Sequence, residues 1–229
     1  MLVLASRGAS AYTRTYGFKI PPLAAAYLSA VARDAGYDVA FFDGLAMNIG
    51  PRRLAEEVSA FDPDVVGLIM NSSTSHGASI ELARRLKAEL NPVIVAGGHH
   101  ATFTYPLLLR AGVIDYVVLG EGERTFGELL GALKEGDDPR KIRGLAYSEG
   151  GAAKSNRPRE FVNDLDELPM PMYEVYRKDL YNIDILEPGA RVAPLETSRG
   201  CPYSCDFCSV TKMWGPGGGS RVLPECSLS

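Results

Sequence analysis

Five strand-forming runs, each followed by a segment of helical spacing, constrain this chain more than any other feature. The runs cover residues 2–5, 37–42, 64–70, 92–96 and 116–119. The segments between them repeat apolar residues every three to four positions, as Leu23, Tyr27, Leu28 and Val31 do,. Pro21 and Pro22 are placed to open the first of these helices and Gly36 to end it,. Further helices are expected over residues 51–61, 79–90, 104–111 and 125–135. Strands that alternate with helices and read as continuous apolar runs predict a parallel sheet covered on both faces, with right-handed crossovers.

Composition narrows the function classes. At 229 residues and 46% apolar content, the chain can build one large or two small cores,. A net charge of −4 provides no basic field for nucleic acid or an anionic membrane surface,. The apolar runs are of strand length, too short to span a bilayer,. The first residues lack the pattern of a secretion signal,. With clustered cysteines, this leads to the expectation of a reducing cytoplasm.

Three of the four cysteines lie within eight residues: Cys201, Cys205 and Cys208, at C-x3-C-x2-C spacing, with Phe207 before the third. Three thiolates on one loop can converge on a common centre. A closed zinc site or an ordinary electron-transfer cluster takes four ligands. Three cysteines leave one iron of a four-iron cluster without a protein ligand. The alternatives are a zinc site completed by Cys226 and unligated thiols. The stretch Ser198-Arg199-Gly200-Cys201-Pro202-Tyr203-Ser204-Cys205-Asp206-Phe207-Cys208 resembles the signature of the radical S-adenosylmethionine (radical SAM) enzymes. The resemblance implies a 4Fe-4S cluster on the three cysteines and S-adenosylmethionine chelated at the open iron. It implies Phe207 over the adenine side, and an electron donor such as flavodoxin or ferredoxin.

The polar and glycine-rich loops all follow predicted strands: residues 6–16, 71–75, 97–100 and 120–123. In such sheets ligands bind beyond the carboxyl ends of the strands. Several marks stand in order: Pro21-Pro22-Leu23 with Tyr27-Leu28, Asp43, Gly97-Gly98-His99-His100-Ala101-Thr102, and Tyr116 through Glu123 with Thr125-Phe126. Together they resemble the cobalamin-binding domain that precedes many radical SAM barrels. The implied fold is α/β, a Rossmann-like or flavodoxin-like five-stranded parallel sheet. The implied cobalamin contacts are Ser72, Ser73, Thr74, Gly97, Gly98 and His99, with Gly120 and Glu121 lining the cleft.

One departure stands out. The Asp-x-His-x-x-Gly motif that supplies a cobalt ligand in many cobalamin proteins is absent. Cobalamin is therefore expected to bind without a protein histidine. His76, His99 and His100 are read as hydrogen-bonding loop residues. Glu121 and Glu123 are read as acids at a tight turn before a helix N-terminus, in preference to a catalytic pair. The missing Cβ at Gly97 and Gly98 admits the cofactor, so a side chain at Gly98 should obstruct binding and spare the fold.

The domain organisation expected is a cobalamin-binding-like unit over residues 1–140, a linker over 141–189 and a radical SAM segment over 190–229. Residues 144–147 and 160–162 are candidate hairpin arms, and residues 173–184 a candidate for a short helix. Residues 192–197 are the expected first barrel strand, delivering Cys201. The several further β/α units that a barrel requires are not in these 229 residues, so a fragment of a longer enzyme is expected. Its reaction is expected to be methyl transfer to an unactivated carbon or phosphorus centre of a small-molecule substrate. Radical cyclisation or rearrangement, and a non-catalytic cobalamin-binding module, are the alternatives.

Overall fold

A computed structural model describes residues 2–4, 18–183, 193–201, 203, 205–214 and 221–222. The loop over residues 6–16, the glycine run at 216–220 and Cys226 lie outside these. The five expected strands form as β1 (Leu2–Leu4), β3 (Phe41–Asp43), β4 (Val65–Ile69), β5 (Val93–Gly97) and β6 (Tyr116–Val118). A short β2 (Phe18–Lys19) falls between the first two. The helices are α1 (Leu23–Asp34), α2 (Pro51–Ser59), α3 (His76–Glu89), α4 (His99–Arg110) and α5 (Glu123–Glu135).

The five long strands pair in parallel in the order β3-β1-β4-β5-β6. Counting only these five, the order is second-first-third-fourth-fifth, the flavodoxin-like arrangement. The direction of strand addition reverses once, at β1. With crossovers of a single hand, the helices must change face at that reversal. They do: α1 packs with α5 on one face, and α2, α3 and α4 pack on the other. Each strand feeds both layers alternately. Val66 and Leu68 face the α2–α4 side, Val65 and Ile69 the α1–α5 side, because successive side chains in a strand point to opposite faces.

Beyond residue 140 the structure corrects the sequence reading. The candidate linker begins with a hairpin, β7 (Leu145–Glu149) and β8 (Ala152–Ser155), which extends the same sheet antiparallel to β6. Its second arm is residues 152–155 and not 160–162. Gly150 and Gly151, with φ of +59° and +80°, make the two-residue turn that suits strand twist. The chain then crosses the α1 face. Tyr176 and Tyr181 are buried there, Tyr176 donating to the Pro22 carbonyl at 2.8 Å. The candidate helix at 173–184 is two single 3-10 turns, Tyr173–Val175 and Lys178–Leu180, before β9 (Asn182–Ile183) pairs with β2.

The boundary expected near residue 140 thus falls inside one continuous core, since Leu145 and Ala146 are fully buried in it, one in each layer. A chain ending at Gly136 should melt well below one ending at Ile183. It bares the β6 edge and loses the buried Leu145 and Val162, each contributing about 1.5–3 kcal/mol, together with the buried, hydrogen-bonded Tyr176 and Tyr181. Equal melting midpoints for the two chains contradict this.

The expected strand over 192–197 is also revised. Residues 193–197 are not in a strand; β10 (Ser198–Arg199) follows them and pairs antiparallel with β11 (Arg221–Val222). A strand exists only where a neighbour takes its hydrogen bonds, and here the neighbour is β11. A short helix, α6 (Ser209–Trp214), follows the cysteine loop.

Candidate functional site

A cleft of about 220 Å3 opens at the carboxyl ends of β4, β5 and β6, between the sheet and α1. Its floor is Ile69, Val95, Ala96 and Val118; its polar edge is Asn71, Gly98, His99, Gly120, Glu121 and Glu123. Glu196, Arg199 and Met213 close one side. The register that sets Ile69 beside Gly97 carries the next residues, Met70 and Gly98, into contact. The Met70 carbonyl accepts the N–H groups of His100 and Ala101 at 2.9 and 3.3 Å. This holds α4 in a turn that begins at His99, well before the expected start at 104, and the helix tolerates Pro106 inside it.

Gly98 has φ 100° and ψ 180°, a conformation confined essentially to glycine. A Cβ there would lie 2.4 Å from Asn71 Oδ1 and 2.9 Å from the Met70 carbonyl oxygen. Its absence is demanded by the fold itself, so a side chain at Gly98 would not spare the fold as the sequence suggested. Gly97 differs: a Cβ would meet only ordinary contacts with Val118.

The roof is held by charge. Arg199 is 6% exposed and faces three carboxylates. Its Nη2 donates to Glu123 Oε1 at 2.7 Å, its Nε to Glu196 Oε2 at 2.7 Å, and its Nη1 lies 3.4 Å from Glu121 Oε1. Glu121 Oε2 also accepts the Val162 N–H at 2.7 Å. The Arg199 guanidinium sits 5.4 Å from the Tyr27 ring centroid, within cation–π range. Burial works against its charge, but the carboxylates of Glu123 and Glu196 outweigh that and hold the cation well above its ordinary range. Burial, reinforced by Glu196, raises the Tyr27 phenol.

The residues singled out from sequence divide. Gly97, Gly98, His99, Gly120 and Glu121 line the cleft. Ser72, Ser73 and Thr74 are exposed on the loop beside it, with Ser72 and Thr74 hydroxyls 2.6 Å apart, and Asn71 takes the place in the lining. The histidines are helix residues rather than loop residues: His76 begins α3, and His99 and His100 begin α4. His76 Nδ1 and His100 Nε2 are hydrogen-bonded at 2.8 Å. Cys201 and Cys208 are half-buried and Cys205 exposed; the Cys208 N–H donates to the Cys205 carbonyl at 3.1 Å. Among the described residues no three His, Cys, Asp or Glu side chains converge to hold a metal ion. Phe207 is 93% exposed.

Sequence reasoning missed Arg199 as a functional residue. It noted Glu123 only at a helix start, where it does stand, but not as a partner of Arg199. The only trace in the sequence is an arginine flanking the cysteines.

The B12-binding domain model matches residues 9–130, more than half of the chain. The chain belongs to the B12-binding domain family. The resemblance read from the sequence is thereby shown for its first part. An uncharacterized methyltransferase from Pyrococcus horikoshii is 38% identical over 96% of the chain and 48% of its own length. The anaerobic magnesium-protoporphyrin IX monomethyl ester cyclase of Cereibacter sphaeroides is 32% identical over 85% of the chain and 32% of its own length. The fold is that of the radical S-adenosylmethionine methyltransferase TsrM from Kitasatospora setae, solved with cobalamin and a [4Fe-4S] cluster. The TM-score is 0.71 at 19% identity, over 97% of this chain and 43% of that one. The chain spans less than half the length of each.

At about 220 Å3 the cleft is smaller than sites that enclose a whole drug-sized ligand, which run to about 300–1,000 Å3. Among the described residues, no helix is long and apolar enough to cross a membrane.

Asp43, at the end of β3, anchors the crossing chain to the B12-binding domain. Its Oδ1 accepts the N–H groups of Leu45 and Ala46 at 3.0 Å, and its Oδ2 accepts the Tyr181 hydroxyl at 3.1 Å. Burial raises its carboxyl above the ordinary value of 3.8, and these hydrogen bonds offset only part of that. Folding therefore favours the protonated form. The contribution of Asp43 is full below pH 3.8, falls as pH rises to the raised value, and is flat above it. The melting midpoint of the wild type minus that of Asp43→Asn should fall as pH rises from about 4. A difference that grows with pH contradicts this.

Proposed function

We propose that this chain is the cofactor-binding part of a cobalamin-dependent radical SAM enzyme. The single observation that carries the reading is the placement of the cysteine loop. Arg199, two residues before Cys201, is buried against Glu121 and Glu123 of the B12-binding domain. The cleft edge is thus joined to the start of the cysteine loop. Cys201, Cys205 and Cys208 hold a 4Fe-4S cluster in this reading, a soft thiolate set suited to iron–sulfur ligation. S-adenosylmethionine takes the open iron. When bound, the cluster with S-adenosylmethionine supplies a carbon radical and cobalamin supplies a transferable methyl group.

The chain's own residues bind and orient. Gly97, Gly98, His99, Gly120 and Glu121 form the edge that receives cobalamin. Phe207 and Tyr203, both exposed, offer aromatic surface beside the cysteines. The reaction is methyl transfer to an unactivated centre of a small-molecule substrate, with flavodoxin or ferredoxin as the one-electron donor in the cytoplasm. The Pyrococcus horikoshii methyltransferase supports this outcome. The Cereibacter sphaeroides cyclase supports a second one, radical ring formation.

The test is titration with hydroxocobalamin, then electron paramagnetic resonance of the reduced cob(II)alamin complex. Binding is expected, with no nitrogen splitting from a protein histidine. His76→Ala and His99→Ala should leave the spectrum unchanged. Absence of binding rejects the cobalamin reading, and a splitting lost in either variant rejects ligand-free cobalt.

A further inference from the structure

Arg199 touches both halves of the site. On one side its guanidinium is locked by Glu123 at 2.7 Å and lies 3.4 Å from Glu121, two residues that line the cleft. On the other, only Gly200, with φ +93°, separates it from Cys201. Glu196, on the cysteine side, closes the cage at 2.7 Å. The side chains of Arg199, Glu121 and Glu123 are 6%, 5% and 9% exposed, so water screens their interaction little. Glu123 Oε2 is buried with no hydrogen-bond partner among the described residues. Leaving a buried acceptor unmade is costly, and Glu123 lines the cleft, where an N–H donor of a bound ligand can supply the missing bond.

We propose that Arg199 is a positioning residue that couples the cleft to the cysteine loop through Glu121 and Glu123. A ligand that draws on Glu123 changes how firmly that carboxylate holds Arg199, and with it the placement of Cys201. By linkage the effect is reciprocal: a loop fixed by its cluster presets Glu123 for the ligand. The guanidinium fork is required, because it engages Glu123 through Nη2 and Glu196 through Nε at once. A lysine keeps the charge but presents one point and no fork. This inference rests on the reading of the cleft as the cobalamin site and of the cysteines as cluster ligands.

The test measures hydroxocobalamin affinity anaerobically on the full chain, with and without a reconstituted cluster. In the wild type the two dissociation constants should differ about fivefold or more. In Arg199→Lys the ratio should collapse to about one. A merely structural role for Arg199 would weaken both forms alike and leave the ratio as in the wild type. That result overturns the proposal, as does a wild-type ratio of about one. Should Arg199→Lys fail to fold, Glu123→Gln takes its place. It keeps an acceptor for Arg199 and replaces the other carboxylate oxygen by an amide donor, and it too should abolish the ratio. A wild type that binds no hydroxocobalamin or holds no cluster rejects the proposed function, and this coupling with it. A wild type that binds both while the variants keep its ratio rejects the coupling alone.

Discussion

Arg199→Met is expected to destabilise the protein by about 3–5 kcal/mol, the usual cost of breaking a buried ion pair by removing one partner. The reason is what remains behind. Glu121 and Glu123 are 5% and 9% exposed, and the substitution removes the cation that is paired with both of them. In a chain of this size the loss corresponds to a melting midpoint lower by on the order of 10 °C. Comparable surface pairs, such as Arg53 with Glu56, are worth far less because solvent screens them,. The measurement is thermal unfolding of the wild type, Arg199→Met, Glu123→Gln and the double variant. Residues that share one network are non-additive, so the double variant should be less destabilised than the sum of the two single changes. A loss under about 1 kcal/mol for Arg199→Met would place the cage in solvent and remove the argument.

Anaerobic reconstitution with iron and sulfide should give a cluster with broad absorption toward the ultraviolet edge, and Cys205→Ala should abolish it. Cys205 is the exposed member of the three, so its replacement removes a proposed ligand while burying and unburying almost nothing. The melting midpoint should stay close to that of the wild type, which separates loss of the cluster from loss of the fold. The cluster should also decay quickly in air, since Cys205, Tyr203 at 72% exposed and Phe207 at 93% exposed leave it open to solvent. Iron and sulfide retained by the Cys201→Ala, Cys205→Ala, Cys208→Ala triple variant would show that these thiols do not hold it. Zinc bound in preference to iron would favour the zinc alternative.

What the sequence determined by itself is the part written in local periodicity. Val65–Ile69 is buried at every position, and a strand buried on both faces must be apolar throughout. Such runs, separated by helices, leave few arrangements besides a parallel sheet. The same local logic exposed the cysteine spacing and the glycine-bearing loops at the strand ends. The tertiary structure alone decided the rest. Arg199 meets partners 76 and 78 residues away, and an arginine in a sequence does not announce which carboxylate it will find. Leu145 and Ala146 read as one arm of a hairpin inside a linker, yet that arm extends the main sheet, because β6 had an edge to fill. Gly98 looked like space left for a ligand, yet the Met70 carbonyl and Asn71 occupy the place of its Cβ. Residues 193–197 looked like a strand, but pairing partners, not apolar pattern, decide where a strand forms. Periodicity is a property of neighbours along the chain; ion pairs, sheet edges and close backbone contacts are properties of neighbours in space.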